Sequence, residues 1–283
     1  MNNKKGKLYI VSTPIGNLSD ITFRAIDTLK DVDLILAEDT RNTKKLLNEY
    51  NINTKTISYH EHNKYDKVDD LILELINGDS MAIVSDAGTP LISDPGDVLI
   101  EKAIENNIDI LSIPGPTALI SALTISGLNT KEFIFLGFLS DEKKERIKKL
   151  KENKFENKTL VFYISPHKFK KHMEDIIEVL GGEREASLSR ELTKIHEETV
   201  RDTLYNIYEK YKDSIKGELV LIVSGVSEEE KKNFENARWD NLTLKEHIDM
   251  YINMGFSEKD AMKKVASDRN INKREVYKTL KVI

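Results

Sequence analysis

The chain has 283 residues, of which 39% are hydrophobic and 32% are charged, and its formal net charge at pH 7 is −5. This length exceeds one typical domain, and the composition excludes a disordered chain. The absence of any run of about 18 apolar residues excludes a membrane-spanning helix, and the absence of cysteine excludes disulfides and Cys-based metal sites. Because the start MNNKKGK lacks a signal-peptide core, we expect a cytoplasmic protein without membrane contact.

The first half of the chain alternates short apolar runs with amphipathic segments. These patterns predict strands at residues 8–12, 33–37, 57–59, 81–84 and 109–113, and helices at 20–29, 43–50, 66–76 and 118–126. A further helix follows Asp94 and Pro95, which fit its N-cap and first position. Alternating βα units of this length predict an α/β fold with a parallel, doubly wound sheet.

The second half is similar but less regular. Its patterns predict strands at 133–138, 160–164, 186–190 and 218–224, and helices at 141–151 and 204–211. A further helix follows His167 and ends at Leu180, and the region 197–201 completes this half. Residues 228–232 have the composition of a solvated linker, and three short helices follow at 242–254, 257–268 and 272–281. From Lys259 onward, eight basic and three acidic residues leave a local charge of +5. A helix-turn-helix bundle that binds nucleic acid and a stabilising or dimerising appendage both fit this tail.

Residues 85–96 form a connection with two tight Gly/Pro turns, which favours a ligand-binding loop over an ordinary strand-to-helix turn. Gly88 has no Cβ, so a ligand can touch the backbone there, and Pro90 biases Thr89 toward extended geometry. Unusual loops also follow the strands at 12–17, 38–41 and 114–118. In a parallel sheet all of these loops emerge at one edge and form one composite pocket. No GxGxxG or GxxxxGK[ST] motif is present, which disfavours nicotinamide and nucleoside triphosphate cofactors.

A series of longer strings carries a family resemblance. They are TPIGNLSDIT (13–22), AEDTR (37–41), SDAGTPLISDPG (85–96), PGPTA (114–118), FYISPHK (162–168), RELTK (190–194) and KGELVLIVSG (216–225). In this order and spacing they resemble the ribosomal RNA small subunit methyltransferase I family, a branch of the tetrapyrrole (corrin/porphyrin) methylase superfamily. The resemblance extends over roughly residues 7–225.

The resemblance implies a two-domain, tetrapyrrole-methylase-like α/β fold. It places a parallel doubly wound domain at residues 1–128, a mixed-sheet domain at 129–226 and a small helical appendage at 227–283. It further implies S-adenosyl-L-methionine in the cleft between the domains, no metal, and a homodimer. The implied reaction is 2′-O-methylation of a cytidine in the decoding region of small-subunit (16S) ribosomal RNA, presented as RNA or as the assembled small subunit.

The predicted cofactor-binding residues come from the loops and from two strands of the second half. They are Pro14, Gly16, Asp86, Gly88, Thr89, Pro90, Ile92, Asp94, Thr117, Ala118, Tyr163 and Val220. The superfamily's Gly-Asp-Pro motif corresponds here to Gly88-Thr89-Pro90, so a hydroxyl replaces an acidic contact.

The predicted catalytic residues are Asp39, Glu191 and Lys194, with Glu38 as a further candidate base. For each acid, a helix cap or an ion pair explains the residue equally well, so both interpretations stay open. The predicted RNA-binding residues are Arg41, His60, His62, Lys168 and Arg190. Lys168 stands where the family has arginine and lacks its bidentate fork. His60, Glu61 and His62 lack a third ligand at useful spacing, which favours substrate or solvent contact over a metal.

Two other functions compete with methylation of RNA. The same fold accommodates methylation of a tetrapyrrole or another small molecule, and a chain that has lost turnover would act as a non-catalytic RNA-binding assembly factor. The basic tail and the lysine-rich segment at 143–158 favour RNA, because a small-molecule substrate requires neither. The intact loops at 88–96 and 114–118 disfavour the non-catalytic alternative.

Overall fold

The computed structural model describes residues 5–93, 96–237, 242–269 and 271–281. Its first half contains five strands, which are β1 (Lys7–Val11), β2 (Leu34–Ala37), β3 (Thr56–Ser58), β4 (Met81–Val84) and β5 (Asp109–Ile113). All neighbours pair in parallel, in the order β3-β2-β4-β1-β5. The connecting helices are α1 (Phe23–Asp31), α2 (Thr40–Glu49), α3 (Lys64–Asn77), α4 (Asp97–Glu105) and α5 (Ala118–Ile125).

Alternate residues of each central strand point to opposite faces of this sheet, as the pleat requires. Leu8 and Leu36 pack with apolar residues of α3 and α4, whereas Val11 and Ile35 pack with those of α1 and α2. Every residue of β2 and β4 is therefore buried, which is typical of parallel strands covered on both faces. The predicted parallel, doubly wound sheet is present.

Three predicted helix starts are wrong. Helix α2 begins at Thr40 and not at residue 43, because Asp39 accepts the amide proton of Arg41 and caps the helix, and α1 and α4 begin later than predicted. Helix α1 begins at Phe23 because the Thr22 side chain accepts the amide proton of Ala25, and Leu18–Asp20 form a separate 3₁₀ turn. Helix α4 begins at Asp97 with Gly96 as its N-cap, so the predicted cap at Asp94 is also wrong. Asp94 and Pro95 themselves lie outside the described residues.

The second half contains the strands β6 (Phe133–Phe138), β7 (Thr159–Ile164), β8 (Glu185–Arg190), β9 (Glu198–Thr203) and β10 (Leu219–Val223). Their order is β6-β7-β10-β8-β9, and only the β6–β7 pair is parallel. The helices of this half are α6 (Lys143–Glu152), α7 (Phe169–Leu180) and α8 (Leu204–Tyr211), with a 3₁₀ turn at Pro166–Lys168. This is the mixed sheet that the resemblance implied.

An apolar cluster joins the two sheets. Ile15 and Ala122 from the first half pack against Val161, Val220 and Ile222 from the second. These strand residues alternate with residues that pack against α7 and α8, so one face of the mixed sheet packs against the first half of the chain. The carboxyl edge of the parallel sheet consequently lies against β10 and the end of β7.

After the mixed sheet, the described residues form the helices α9 (Glu228–Ala237), α10 (Leu244–Asn253), α11 (Glu258–Asp268) and α12 (Lys273–Lys281). The predicted linker at 228–232 is wrong, because Ser227 caps α9 and the ring of Phe234 stacks on Phe155 at 3.6 Å between centroids. The three predicted helices after it are present and pack around Ile248 and Val265. Among the described helices, none combines the length and hydropathy that a membrane span requires.

A buried ion pair fixes α6 to α7. The Arg146 side chain is fully buried, and its Nε donates to Asp175 Oδ2 at 2.8 Å while Nη1 donates to the carbonyl of Ser140. Lys143 Nζ, from a largely exposed side chain, lies 3.2 Å from the other carboxylate oxygen. Burial favours a higher pKa for Asp175, but the hydrogen bonds from Arg146 and Lys143 outweigh it and lower that pKa below its ordinary value.

We expect Arg146→Ala to lower the free energy of unfolding by about 3–5 kcal/mol, because it leaves a buried carboxylate without its main partner. Lys143→Ala is the matched control, since it removes an exposed partner of the same carboxylate and should cost about 1 kcal/mol or less. Urea denaturation of both variants measures the difference. Equal costs for the two variants would contradict this account of the pair.

Candidate functional site

The loops that follow β1 and β4 are joined by a two-residue antiparallel bridge. The amide of Thr13 donates to the carbonyl of Gly88 at 2.8 Å, and the amide of Gly88 donates to the carbonyl of Thr13 at 3.1 Å. The Thr13 hydroxyl donates to the carbonyl of Ser85 at 3.2 Å, and the hydroxyls of Ser12 and Thr89 are 3.0 Å apart. Gly88 has φ +85°, and an added Cβ would lie 3.3 Å from Ile15 Cγ2, so this position requires glycine.

A cavity of about 450 Å³, here called the cofactor cavity, opens between this bridge and the mixed sheet. Its volume lies in the range of small-molecule sites. The first half lines it with Ile15, Glu38, Asp86, Ala87, Gly88, Thr89, Ile92, Ser93, Thr117 and Ala118. The second half lines it with Phe138, Tyr163, Ile164, Ser165, Pro166, Glu218, Leu219 and Val220.

Most of the predicted cofactor residues meet in this cavity. They are Asp86, Gly88, Thr89, Ile92, Thr117, Ala118, Tyr163 and Val220. Pro90 is not among the lining residues, and Asp94 lies outside the described residues.

The N-terminus of α5 faces the cofactor cavity. Thr117 is its N-cap in an extended conformation, and the Thr117 side chain makes no capping hydrogen bond. Thr117 and Ala118 both line the cavity, so amide groups of the first helical turn are presented to it. Such a helix start binds an anionic group such as a carboxylate.

Two carboxylates, those of Glu38 and Asp86, also line this cavity. Asp86 accepts hydrogen bonds from the Asp39 amide at 3.2 Å and from Asn42 Nδ2 at 3.0 Å. Burial raises the pKa of Glu38 above its ordinary value, and the nearby charge of Asp86 adds to the effect. Together the two acids provide a negative potential that favours a cationic ligand.

These features fit S-adenosyl-L-methionine, whose parts differ in polarity and charge. The side chains of Ile92, Tyr163 and Val220 offer an apolar wall for a nucleobase, and the start of α5 offers amides for the amino-acid carboxylate. The carboxylates of Glu38 and Asp86 complement a sulfonium charge. The residues present therefore suit the cofactor that the family resemblance implied.

A second cavity of about 250 Å³ adjoins the cofactor cavity and shares Ile15, Asp86, Ala87 and Glu218 with it. The other residues that line it are Thr13, Pro14, Gly16, Leu18, Asn42, Thr43, Lys45, Leu46, Ser85 and Lys194. The predicted residues Pro14, Gly16 and Lys194 thus lie beside this smaller cavity and not in the larger one. A ligand that filled both cavities would contact the residues that the two cavities share.

An ion-pair cluster lies at the junction of the two cavities. Lys194 Nζ is 3.0 Å from Glu191 Oε1 and 3.2 Å from Glu218 Oε2. The hydrogen bond from Lys194 lowers the pKa of Glu191. Burial favours a lower pKa for Lys194, but the bond to Glu191 helps to outweigh burial and the pKa of Lys194 is raised. An added Cβ on Gly16 would lie 2.5 Å from Lys194 Cγ, and one on Gly217 would overlap the Glu191 side chain. Glycine at positions 16 and 217 therefore leaves the space that the side chains of this cluster occupy.

Backbone strain is concentrated in the loops that border the cavities. Glu191 has φ +51° and Thr193 has φ +67°, both in the turn that follows β8. Leu91 and Ser93, in the loop that contains Gly88, have φ +74° and +73°. Non-glycine residues in this left-handed region cost free energy and cluster at functional sites.

Asp39 has a structural task that weakens its candidacy as a base. Its Oδ1 accepts the amide proton of Arg41 at 2.8 Å and caps α2, and the Arg41 guanidinium bonds both carboxylate oxygens. These hydrogen bonds from Arg41 lower the pKa of Asp39 to about 2. Because Glu38 lines the cofactor cavity with a raised pKa, the geometry favours Glu38 over Asp39 as proton acceptor.

The structure does not bring the other predicted RNA contacts into either cavity. Lys168 Nζ pairs with Asp141 at 2.6 Å, and Arg190 Nε pairs with Glu198 at 2.7 Å. The rings of His60 and His62 pack edge to face with centroids 5.9 Å apart. Within the described ranges, no cluster of three or more His, Cys, Asp or Glu side chains is placed to hold a metal ion.

Sequence reasoning missed several lining residues of the second half, among them Phe138, Ser165 and Glu218. The sequence could have indicated Glu218, because it lies two residues before the predicted residue Val220 and residues two apart in an extended segment point to the same face. Phe138 lies opposite Tyr163 in the parallel β6–β7 pair, with ring centroids 5.4 Å apart. That pairing depends on tertiary structure and has no local signal.

Comparison with known proteins gives matches over nearly the whole chain. The profile of the family described as Tetrapyrrole (Corrin/Porphyrin) Methylases matches residues 7–208. Ribosomal RNA small subunit methyltransferase I of Halalkalibacterium halodurans is 50% identical over 274 residues, which cover 96% of this chain and 94% of the relative. Proteins of that name from Bacillus subtilis and Synechocystis sp. are 46% and 41% identical, each over 96% of this chain and over 93% and 96% of their own lengths.

Solved structures of low sequence identity share the fold. Uroporphyrin-III-C-methyltransferase from Thermus thermophilus matches with a TM-score of 0.56 and 16% identity, over 77% of this chain and 94% of its own. A diphthine synthase matches with a TM-score of 0.63 and 12% identity, over 81% of this chain and 94% of its own. The predicted α/β fold of tetrapyrrole-methylase type is thereby confirmed.

We expect Gly88→Val to weaken binding of S-adenosyl-L-methionine by roughly tenfold or more, because a side chain at φ +85° strains the bridge to Thr13 and contacts Ile15. Gly181→Val is the matched control, since Gly181 also has a positive φ but an added Cβ there meets nothing within 4 Å. Calorimetric titration measures affinity, and circular dichroism checks folding. Equal affinities in both variants would refute the role of Gly88 at the cavity.

Proposed function

Because this chain belongs to the ribosomal RNA small subunit methyltransferase I family of tetrapyrrole methylases, we propose that it transfers the methyl group of S-adenosyl-L-methionine to RNA. The acceptor is the 2′-hydroxyl of a cytidine in the decoding region of small-subunit (16S) ribosomal RNA. The observation that carries this proposal is the cofactor cavity, which is lined by a helix N-terminus and by two carboxylates.

The bound cofactor would supply an electrophilic methyl group on a sulfonium sulfur. The residues of this chain hold and orient the reactants around it, and positioning alone accounts for much of the rate in such displacements. Carbonyl groups in residues 88–93, a loop in which Leu91 and Ser93 have positive φ, are suited to orient the methyl hydrogens through weak CH···O contacts.

A ribose hydroxyl is a weak nucleophile, so a general base assists its attack. We assign this role to Glu38, which lines the cofactor cavity and whose pKa burial raises toward the operating pH. The Glu38 carboxylate would accept the hydroxyl proton as the oxygen bonds to the methyl carbon that the bound cofactor would supply, and the cofactor would leave as a thioether that keeps the electron pair of the broken bond. Glu191 and Lys194 act beside it as an ion pair that keeps the junction of the two cavities ordered.

Ribosomal RNA is favoured over a tetrapyrrole as the substrate. The relatives that carry the RNA methyltransferase name are 41–50% identical over nearly the whole chain, whereas the likeness to uroporphyrin-III-C-methyltransferase is 16% identity and concerns the fold alone. Lys273, Arg274 and Lys278 are exposed on α12 and provide cations for phosphate groups that a porphyrinoid lacks. The partner is therefore the small subunit or its RNA, which would place the reaction in the cytoplasm.

We further propose a homodimer. The edge strand β5 and the neighbouring α5 expose apolar side chains, including Leu111, Ile120 and Ile125. An exposed edge with apolar residues is a surface that proteins usually cover. A second copy of the chain would cover it.

Methylation of purified small ribosomal subunits tests the proposed function. Subunits from a strain that lacks this gene are incubated with the protein and labelled S-adenosyl-L-methionine, and the RNA is digested and mapped by mass spectrometry. We expect one new 2′-O-methylcytidine in the decoding region. Label on a base, on another nucleotide or nowhere would refute the proposal, and free 16S RNA in parallel identifies the form of the substrate.

We expect Glu38→Gln to lower kcat roughly 10²-fold or more, as removal of a general base does. In the unaltered protein kcat should rise as the pH rises through the elevated pKa of Glu38, because only the carboxylate accepts a proton, and this rise should vanish in the variant. Asp39→Asn is the control, since asparagine retains the cap of α2. If Asp39→Asn removes the pH-dependent rise and Glu38→Gln does not, Asp39 is the base instead.

A further inference from the structure

We propose that the second cavity, here called the nucleotide cavity, binds the base of the target nucleotide after it has left its stack in the RNA. This inference rests on the proposed methylation of ribose and assigns a site to its substrate. The residues that carry it are Thr43 and Lys45 of α2, neither of which the sequence analysis singled out. Nucleic-acid enzymes commonly take their target out of the stack into a fitted pocket.

Thr43 carries a buried hydroxyl beside the nucleotide cavity. Thr43 is 5% exposed and lines the nucleotide cavity, yet its Oγ1 has no hydrogen-bond partner among the described residues. The hydroxyls of Thr28 and Ser121, also in helices, donate to the carbonyls of Arg24 and Thr117 four residues earlier. A buried polar group without a partner destabilises a fold. The hydroxyl is covered in this structure, so a base in the cavity that Thr43 lines would meet it after a rotation about the Cα–Cβ bond, and that hydrogen bond would remove the cost of the unpaired group.

A positive charge lies at the rim of the nucleotide cavity. Lys45 lines the cavity from an exposed position on α2. Lysine in such a position meets phosphate groups, which fix the register of a nucleic acid without reading its sequence. Lys194 is less available for this task, because it already pairs with Glu191 and Glu218.

The two cavities share part of their lining. Asp86 and Glu218 line both, so a nucleoside in the smaller cavity would place its sugar at the border of the larger one. The border is also where Asp86 accepts a hydrogen bond from Asn42. About 250 Å³ suits one nucleobase with its sugar, whereas a four-ring macrocycle is several times larger than a single pyrimidine. The base would lie against Thr43 and the 2′-hydroxyl would face Glu38.

The test uses the full-length protein with small subunits and S-adenosyl-L-methionine. Thr43→Val keeps the volume of the side chain and removes the hydroxyl, so we expect kcat/KM for the subunit to fall roughly tenfold. Thr43→Ser keeps the hydroxyl and should retain activity to within about threefold. Affinity for S-adenosylhomocysteine and the melting temperature should be unchanged or higher in Thr43→Val, because valine leaves no unpaired polar atom.

Lys45→Ala and Lys44→Ala form a matched pair on the same exposed helix, since Lys44 lies outside both lining sets. We expect Lys45→Ala to raise KM for the subunit roughly fivefold and to reduce its dependence on salt, because a phosphate contact is lost. Lys44→Ala should stay within about twofold of the unaltered protein. Equal effects of the two substitutions would overturn the role of Lys45.

The outcomes separate this inference from the proposed function. If the unaltered protein methylates RNA and the Thr43→Val and Lys45→Ala variants have the same activity, the cavity does not bind the nucleotide and the proposed function stands. If the unaltered protein methylates no RNA, the function fails, and binding of cytidine 5′-monophosphate to the protein loaded with S-adenosylhomocysteine decides the inference. Binding that Thr43→Val abolishes would support the site, and absence of binding would overturn it.

Discussion

The bridge between Thr13 and Gly88 is the contact on which the geometry of the site depends. Parallel strands bring their loops to one edge, but they do not by themselves connect one loop to the next. Here two backbone hydrogen bonds join the loop after β1 to the loop after β4, and the hydroxyl of Thr13 adds a third bond to Ser85. Residues of the bridged loops line both cavities, so one small set of hydrogen bonds shapes both.

The second constraint is the apolar cluster that joins the sheets. Ile15 packs against Val220 and Ile222, so the loop that carries the bridge also contacts the mixed sheet. Without this packing, the loops of the parallel sheet would form an open edge and not one side of a cavity. The same residue, Ile15, is the neighbour that restricts Gly88, which links the join between the two halves to the conformation of the ligand loop.

The sequence analysis succeeded where local signals decide the outcome. The apolar runs at β4 and β5 predicted both strands with their observed bounds, and the parallel topology correctly brought the loops that contain Gly88 and Thr117 together. It failed where tertiary contacts decide, as with Phe138, whose neighbour Tyr163 follows from the pairing of β6 with β7. It also could not separate Glu38 from Asp39, because which of two adjacent acids caps α2 depends on the backbone path after β2.

The left-handed residues Leu91, Ser93, Glu191 and Thr193 have a consequence for the evolution of this protein. Each holds a backbone conformation that costs about 1–3 kcal/mol, and glycine would relieve that cost at any of them. Selection for heat resistance alone would therefore remove these side chains first. Their presence marks the two loops as places where thermal robustness and turnover conflict, so stabilised variants chosen without an assay of turnover would tend to erode the site.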